Sequence, residues 1–336
     1  MMLRAAKQCL AMMLMVFSSL AGAADFSLSG YQQPSGAISV RRGNDDVIDP
    51  YFAAKALLIA KDLGLRSDQP ALAWIDWALQ KQRADGRFDR YCMRAGQLVT
   101  CAASDADDAV LAVWLELLAK HAPASGAPKA WRQSMDRAEA YLDKLYDKQR
   151  GVYLVSLELP VALLMDNLEV YSALQTLGQF YSRFGEFRRA QVALQRAQRL
   201  RERIIRTFWR NQQQDFLAST QIPAQERFYP DQAAQLFPLL VDSFAAQLDS
   251  RATYRKWLVN HQNSWLRHAQ NDYPWGLVAV AAEKMADYET AFCWLQYARP
   301  LRQGERWNVL EEAVFQALSA RLGHLPETKY ACKGWG

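Results

Sequence analysis

The chain has 336 residues, with 40 basic and 35 acidic side chains, a formal charge of +5, and 51% hydrophobic residues. So even a balance excludes a protein built around a nucleic-acid backbone, which calls for a marked basic excess. After the first residues no apolar run is long enough to span a bilayer, so no integral membrane segment is expected beyond a leader.

Arg4 and Lys7 precede the apolar run Cys9 to Leu20, and Ala21-Gly22-Ala23 offers a small-residue cleavage site. These are the features of a secretory signal over residues 1–23, which predicts an exported protein, periplasmic or secreted. With no linker or break in composition afterwards, residues 24–336 read as a single domain. In an oxidising compartment, Cys92 paired with Cys101 would close the short loop between them, and Cys293 paired with Cys332 would tie down the C-terminal tail. The sequence leaves this connectivity open. The histidines do not cluster with the cysteines and there is no phosphate-binding Gly-rich loop, so neither a metal nor a cofactor is expected.

Residues 25–49 hold a short β-like piece at Ala37 to Val40 and a polar loop from Arg41 to Asp46. After Pro50, helical periodicity runs almost without a break to Gly323. One pattern recurs: an amphipathic helix ends in polar residues, a short extended piece with an aromatic follows, and an acidic or aromatic turn opens a more apolar helix. The extended pieces are Asp85-Gly86-Arg87-Phe88, Gly151-Val152-Tyr153-Leu154 and Gln214-Asp215-Phe216-Leu217, with shorter copies after Leu266 and Leu301.

The apolar helices open near Asp49, Asp105, Asp166, Asp231, Asp272 and Asn308, at unequal intervals of 36 to 65 residues. A tetratricopeptide array would keep a fixed period of about 34 residues. Apolar helices alternating with amphipathic ones instead predict an inner ring within an outer ring. That is an all-α, (α/α)6 toroid with short β pieces at one mouth. The outer helices fit this, with apolar stripes at Met135, Ala138, Leu142 and Leu145, and at Ala190, Leu194, Ala197, Leu200, Ile204 and Phe208.

Alternating helices joined by Gly-x-aromatic strands, with Asp166-Asn167-Leu168-Glu169-Val170-Tyr171 and Trp209 followed by Asp215-Phe216-Leu217, resemble the six-hairpin (α/α)6 glycosidases over residues 45–322. Within them, Ala103-Ser104-Asp105-Ala106-Asp107 is similar to the signature of glycoside hydrolase family 8, the bacterial cellulases and chitosanases. Tyr229-Pro230-Asp231-Gln232-Ala233 is a looser echo of that family's Tyr-Asp-Ala segment. The resemblance implies Asp231 as the catalytic base and Asp105 or Asp107 as the group holding the sugar. Two departures stand out. The family's acid Glu in a Ser-Glu-Gly stretch is missing, leaving Asp46 or Asp49 as the acid, and the signature's continuation is shifted by one residue after Asp107.

In a toroid the inner helices run parallel, so their N-termini meet at one mouth. Asp46, Asp49, Asp105, Asp107, Asp166, Asp231 and Asp272 would then face one cleft with Tyr229, Tyr273, Trp275 and Trp307. Sugar cleavage needs an acid for the glycosidic oxygen, a carboxylate to activate water, and flat rings on which sugars stack. Each acid also has a structural reading. Asp49 before Pro50 suits an N-cap, Asp166 and Glu169 have capping-box spacing, and Asp231 could simply stabilise a helix dipole. Trp74, Trp77, Trp114, Trp131, Trp257, Trp265 and Trp294 fall within helices and are expected in packing. The eight arginines from Arg188 to Arg210 read as a solvated outer face, or as a patch for an acidic polymer, membrane headgroups or a partner protein.

The leading expectation is an exported glycoside hydrolase acting on a polysaccharide or oligosaccharide by inverting carboxylate catalysis, without nucleic acid. The alternatives are a non-catalytic toroid binding polysaccharide or a partner in polysaccharide export or biosynthesis, and a lyase in which a Tyr or His takes a proton beside a uronate.

Overall fold

The computed structural model describes residues 23–43, 47–246 and 248–335; the leader through residue 22 and Asp46 lie outside the described residues. In chain order, α1 (Pro50–Asp62) and α2 (Asp68–Lys81) lead to a hairpin of β1 (Asp89–Arg94) and β2 (Gln97–Ala103). Helices α3 (Asp107–His121) and α4 (Lys129–Lys144) lead to β3 (Tyr146–Asp147) and β4 (Val152–Tyr153). Helices α5 (Leu164–Arg183) and α6 (Phe187–Phe208) lead to β5 (Trp209–Arg210) and β6 (Asp215–Phe216). A π-helical turn at Phe228–Gln232 follows, then the short α7 (Phe237–Leu240) and α8 (Asp242–Ala245), and then α9 (Ser250–Ala269). Helix α10 (Leu277–Lys284) pairs with α11 (Tyr288–Ala298), and α12 (Val309–Leu322) completes the ring.

The inner elements close on themselves. Helix α1 packs on α3, α3 on α5, α5 on α7, α7 on α10, α10 on α12, and α12 back on α1. This is the expected all-α toroid, and it explains why α3 is buried on every face, including Glu116. Helices α2, α4, α6, α9 and α11 stand outside. All seven helical tryptophans named above are buried. The α4 stripe is buried as expected, and in the α6 stripe only Leu194 stays 39% exposed.

The ring departs from a regular toroid in two places. Its fourth inner element is a π turn and a four-residue helix rather than one continuous helix. Pro230 and Pro238 each remove a backbone donor there, which works against a long helix. No outer helix follows α12 among the described residues; the extended N-terminal segment lies across that side instead. Phe26 N–H donates to Arg66 O at 3.0 Å, and the Gln316 amide bonds Ser27 N–H and C=O at 2.9 and 2.7 Å.

A belt of backbone hydrogen bonds fixes the mouth. Each bond joins the start of an inner helix to the strand or loop that leads into another. Ile48 pairs with Tyr91 of β1, Asp107 N–H donates to Val155 O at 2.8 Å, Leu164 N–H to Ala218 O at 2.9 Å, and Val309 N–H to Val40 O at 2.8 Å. The residues preceding four inner helices thus lie in one plane of the molecule, with their helices pointing the same way. The two disulfides anchor the periphery: Cys92–Cys101 crosses the β1–β2 hairpin and Cys293–Cys332 joins α11 to the tail.

Gly86 seats the loop that carries Arg87 at this mouth. Its φ is +102°, and a Cβ built there would stand 2.4 Å from the carbonyl oxygen of Arg137 in α4. Backbone cannot step aside as a side chain can, so Gly86→Ala should cost about 1–3 kcal/mol, read as a lower urea midpoint at unchanged m-value. An unchanged midpoint would show that the loop is not pressed against α4.

Candidate active site

The mouth acids fall into an outer and an inner group. In the outer group Asp49 caps α1: its Oδ1 accepts from Tyr51 N–H at 2.9 Å, and Pro50 follows as the first helical residue. Its other oxygen accepts from Arg90 Nε at 2.6 Å, and the same guanidinium donates to Asp105. Arg90 is thus a clamp from β1 across two helix starts. Asp105 lies just before α3 and stays exposed, whereas Asp49 is 4% exposed. Burial pushes the Asp49 carboxyl up from its ordinary range and Arg90 pulls it back.

The inner group contains residues that the sequence reading left aside. Tyr51 Oη and Lys55 Nζ, one turn apart on α1, donate to the same oxygen of Glu169 at 2.8 and 2.7 Å. Glu169 is therefore not the partner in a capping box. Leu163 occupies the N-cap of α5, no side chain caps it, and Asp166 stands at the third helical position. Asp166 instead meets Asp108. Burial, helped by the charge of Asp166 on Asp108 and of Glu169 on Asp166, drives both above the usual carboxylate range, while the hydrogen bond to Asp108 draws Asp166 partway back. Burial this complete disfavours the charged form, so the pair holds a proton at neutral pH. The Lys55–Glu169 ion pair is the buried salt bridge of this group, and removing Lys55 from it typically costs about 3–5 kcal/mol, since that strands the carboxylate.

Helix phase decides between Asp107 and Asp108. Successive residues point about 100° apart on a helix. The belt bond at Asp107 N–H sets the phase so that Asp108 turns into the ring and Asp107 turns toward Arg87, 3.7 Å away, and the loop at Glu158. Burial raises Asp107 to about 6. The one-residue shift in the motif has this structural counterpart: the second acid of the Asp-Asp pair, not the first, enters the interior.

The aromatics divide as well. Tyr229 is 48% exposed, its phenol lies in the field of Asp166, Glu169 and Asp105, and its ring lies 4.9 Å from that of Trp275. Trp275 has a φ of +52°, in the left-handed region that bulky residues avoid. The neighbouring Gly276 N–H is held by Glu311 Oε2 at 2.8 Å, and burial pushes Glu311 up to about 8. Tyr273 follows Asp272, whose Oδ1 accepts its N–H at 2.8 Å. Trp307 corrects the expectation of a sugar platform: it is 1% exposed, stacked on Trp294, with its indole N–H on Glu312 at 2.9 Å, so both faces are covered by protein. Asn308, not an acid, caps α12. Asp231 stands apart from the inner group. Its Oδ2 accepts from Arg227 N–H at 2.9 Å, and the residue lines a groove beside β5, β6 and α9. Among the described residues no group of three or more potential ligands is arranged to hold a metal ion.

With the geometry in hand, comparison with known proteins adds the following. No protein-family model and no curated sequence matches the chain. Among solved structures it is similar to a glycosidase bearing a glutamate-to-alanine substitution, at 14% identity and a TM-score of 0.57, covering 89% of this chain and 95% of that one. It is also similar to an α-amylase from Clostridium perfringens, at 9% identity and a TM-score of 0.56, covering 86% and 94%. A D-mannose isomerase aligns at 10% identity and a TM-score of 0.53, covering 88% and 94%. The chain thus has the six-hairpin, glycosidase-like (α/α)6 toroid, and the fold is the extent of the likeness. The isomerase shows that related toroids carry chemistry other than hydrolysis.

The raised carboxyls have a thermodynamic consequence. Asp107, Glu311 and the Asp108–Asp166 pair all bind protons more tightly in the folded chain than in the unfolded one, so unfolding releases protons between about pH 4 and pH 8. Their stabilising contribution is complete below the unfolded carboxylate range and is lost as pH rises through the folded values. Buried His121, lowered to about 4, gives the opposite trend up to about pH 6.5, so the thermal midpoint should decline from about pH 6.5 to pH 8, and Glu311→Gln should flatten that decline. A midpoint that rises over this range would contradict the burial described here.

Proposed function

We propose that the chain is an exported glycoside hydrolase that cleaves a polysaccharide at the acidic mouth of its toroid. The observation that carries this reading is the contrast between two acids facing Tyr229. Asp166 is buried against Asp108 in a proton-holding pair, while Asp105 is exposed and ion-paired with Arg90. A buried carboxyl that keeps its proton beside an exposed one in an ion pair is an arrangement that suits acid and base roles. In this reading Asp166 protonates the glycosidic oxygen and Asp105 activates water on the opposite face of the sugar. Tyr229 and Trp275 supply the stacking surface.

Asp49, with both oxygens engaged by Tyr51 N–H and Arg90, serves better as the anchor of Arg90 than as the proton donor. The role of base that the family resemblance gave to Asp231 passes to Asp105, because Asp231 lines the neighbouring groove. Export is supported by the two disulfides, and no helix among the described residues is long and apolar enough to cross a membrane.

One observation favours a second reading, a non-catalytic toroid that binds glycan. Asp108 Oδ2, Asp166 Oδ2 and Glu169 Oε2 are all shut away from solvent. In that case the inner acids would hold the ring together rather than reach a substrate.

Release of reducing ends from a panel of β-linked glucans separates the two. Asp166→Asn and Asp105→Asn should each lower the rate at least about 100-fold, the scale of a lost general acid or base. Asp231→Asn should leave most activity in place. Full activity in Asp166→Asn, or a loss confined to Asp231→Asn, would overturn this assignment; binding without any product from the wild-type chain would establish the second reading.

A further inference from the structure

The groove beside the mouth has a composition that the acidic centre does not explain. Its walls are the β5–β6 hairpin, the π turn and the outer face of α9, and it encloses about 560 Å³ including its open side. The half-buried Trp209 supplies its apolar surface, the buried Trp257 forms part of its floor, and Gln232, Thr253, Asn260 and His261 line it beside them. Trp257 is tied down by its indole N–H, which donates to Gln232 O at 2.7 Å. Gln232 Oε1 is buried without a hydrogen-bond partner. Asn260 is exposed, and His261 touches Trp257 with ring centroids 5.8 Å apart. Several amide, hydroxyl and imidazole groups with unspent donors and acceptors thus share the groove with the Trp209 indole. Such a set matches a ligand that carries hydroxyls around a small apolar face.

Charge narrows the ligand further. The basic groups of the groove are already engaged: Arg210 is held by both oxygens of Asp215 at 2.6 and 2.8 Å, and Lys256 Nζ donates to the carbonyls of Gln213 and Gln214 at 2.6 and 3.0 Å. Asp231 and Glu226 remain as acids facing the opening, with Glu226 reaching Arg210 only at 3.7 Å. Burial lowers His261 below its ordinary value, so it offers one donor and one acceptor at neutral pH rather than a charge. Arg210 and Lys256 stand against Asp215, Glu226 and Asp231, so the groove carries a slight acidic excess that disfavours an anionic polymer.

The π turn links this groove to the mouth. Tyr229 faces the inner acids, while Asp231 and Gln232, two and three residues on, face the groove. A chain bound over Tyr229 and Trp275 therefore has a continuous path across the turn.

We propose that the groove between the β5–β6 hairpin and α9 is an accessory subsite that binds an uncharged stretch of polysaccharide, several sugar units from the bond at the mouth. The proposal rests on the hydrolase reading for its direction, and its test does not need turnover. Cellohexaose, as a neutral β-linked probe, is titrated into the full chain carrying Asp166→Asn, with proton NMR following the His261 imidazole, one of four histidines in the sequence. The His261 resonance should move on saturation, and adding Asn260→Ala should weaken binding about tenfold, the scale of one or two lost hydrogen bonds. Hexagalacturonate at the same concentration should leave the resonance in place. A His261 signal unmoved by cellohexaose, equal affinity with and without Asn260→Ala, or equal response to the uronate would each overturn the proposal. An inactive mouth leaves this titration unaffected, so the two readings fail separately.

Discussion

The structure depends on the belt of backbone hydrogen bonds that ties inner-helix starts to neighbouring strands and loops. An inner helix surrounded by protein cannot send its first N–H groups to water, so those donors need partners from the chain. Asp107, Leu164 and Val309 find them in Val155, Ala218 and Val40. Because each partner belongs to a different repeat, satisfying one helix start also sets the height of another. The parallel ring, and with it a common mouth, follows from that requirement.

A common mouth then dictates the electrostatics. Acids at several helix starts are brought together, and the local dipoles favour their charged forms while burial and mutual repulsion oppose them. The chain resolves the conflict differently at different depths. At the rim, Arg90 neutralises Asp49 and Asp105 together. Deeper in, Lys55 and Tyr51 satisfy one oxygen of Glu169, and Asp108 and Asp166 hold a proton between them. The result is a gradient from ion-paired carboxylates to a proton-holding pair within one site.

Much of the fold was legible because its signals are local. The alternation of all-apolar and amphipathic helices, the caps at Asp49 and Asn308, the short extended pieces and the tryptophans buried within helices can all be read from periodicity and turn chemistry. The site was legible only in outline. The choice between Asp107 and Asp108 depends on helix phase, and that phase is set by a bond to Val155, nearly fifty positions away. Glu169 read as a capping residue because its spacing from Asp166 fits, whereas its partners Tyr51 and Lys55 lie on another helix. One signal was present and unused: Lys55 is the lone charge within the apolar first three turns of α1, and a buried charge implies a buried partner. Trp307 misled for the opposite reason. A position at a helix start predicts exposure, but the ring closes over it through Trp294 and Glu312.

The central claim is that the interior of the mouth holds a proton between Asp108 and Asp166 where an exposed aspartate would be ionised. Carbon-13 NMR of the aspartate side-chain carboxyls, assigned with Asp108→Asn and Asp166→Asn, measures this directly. The account predicts that at neutral pH one of these two carboxyls keeps the chemical shift of a protonated acid, and that it loses that proton when the chain unfolds. Two carboxylate shifts at neutral pH in the folded wild-type chain would contradict it.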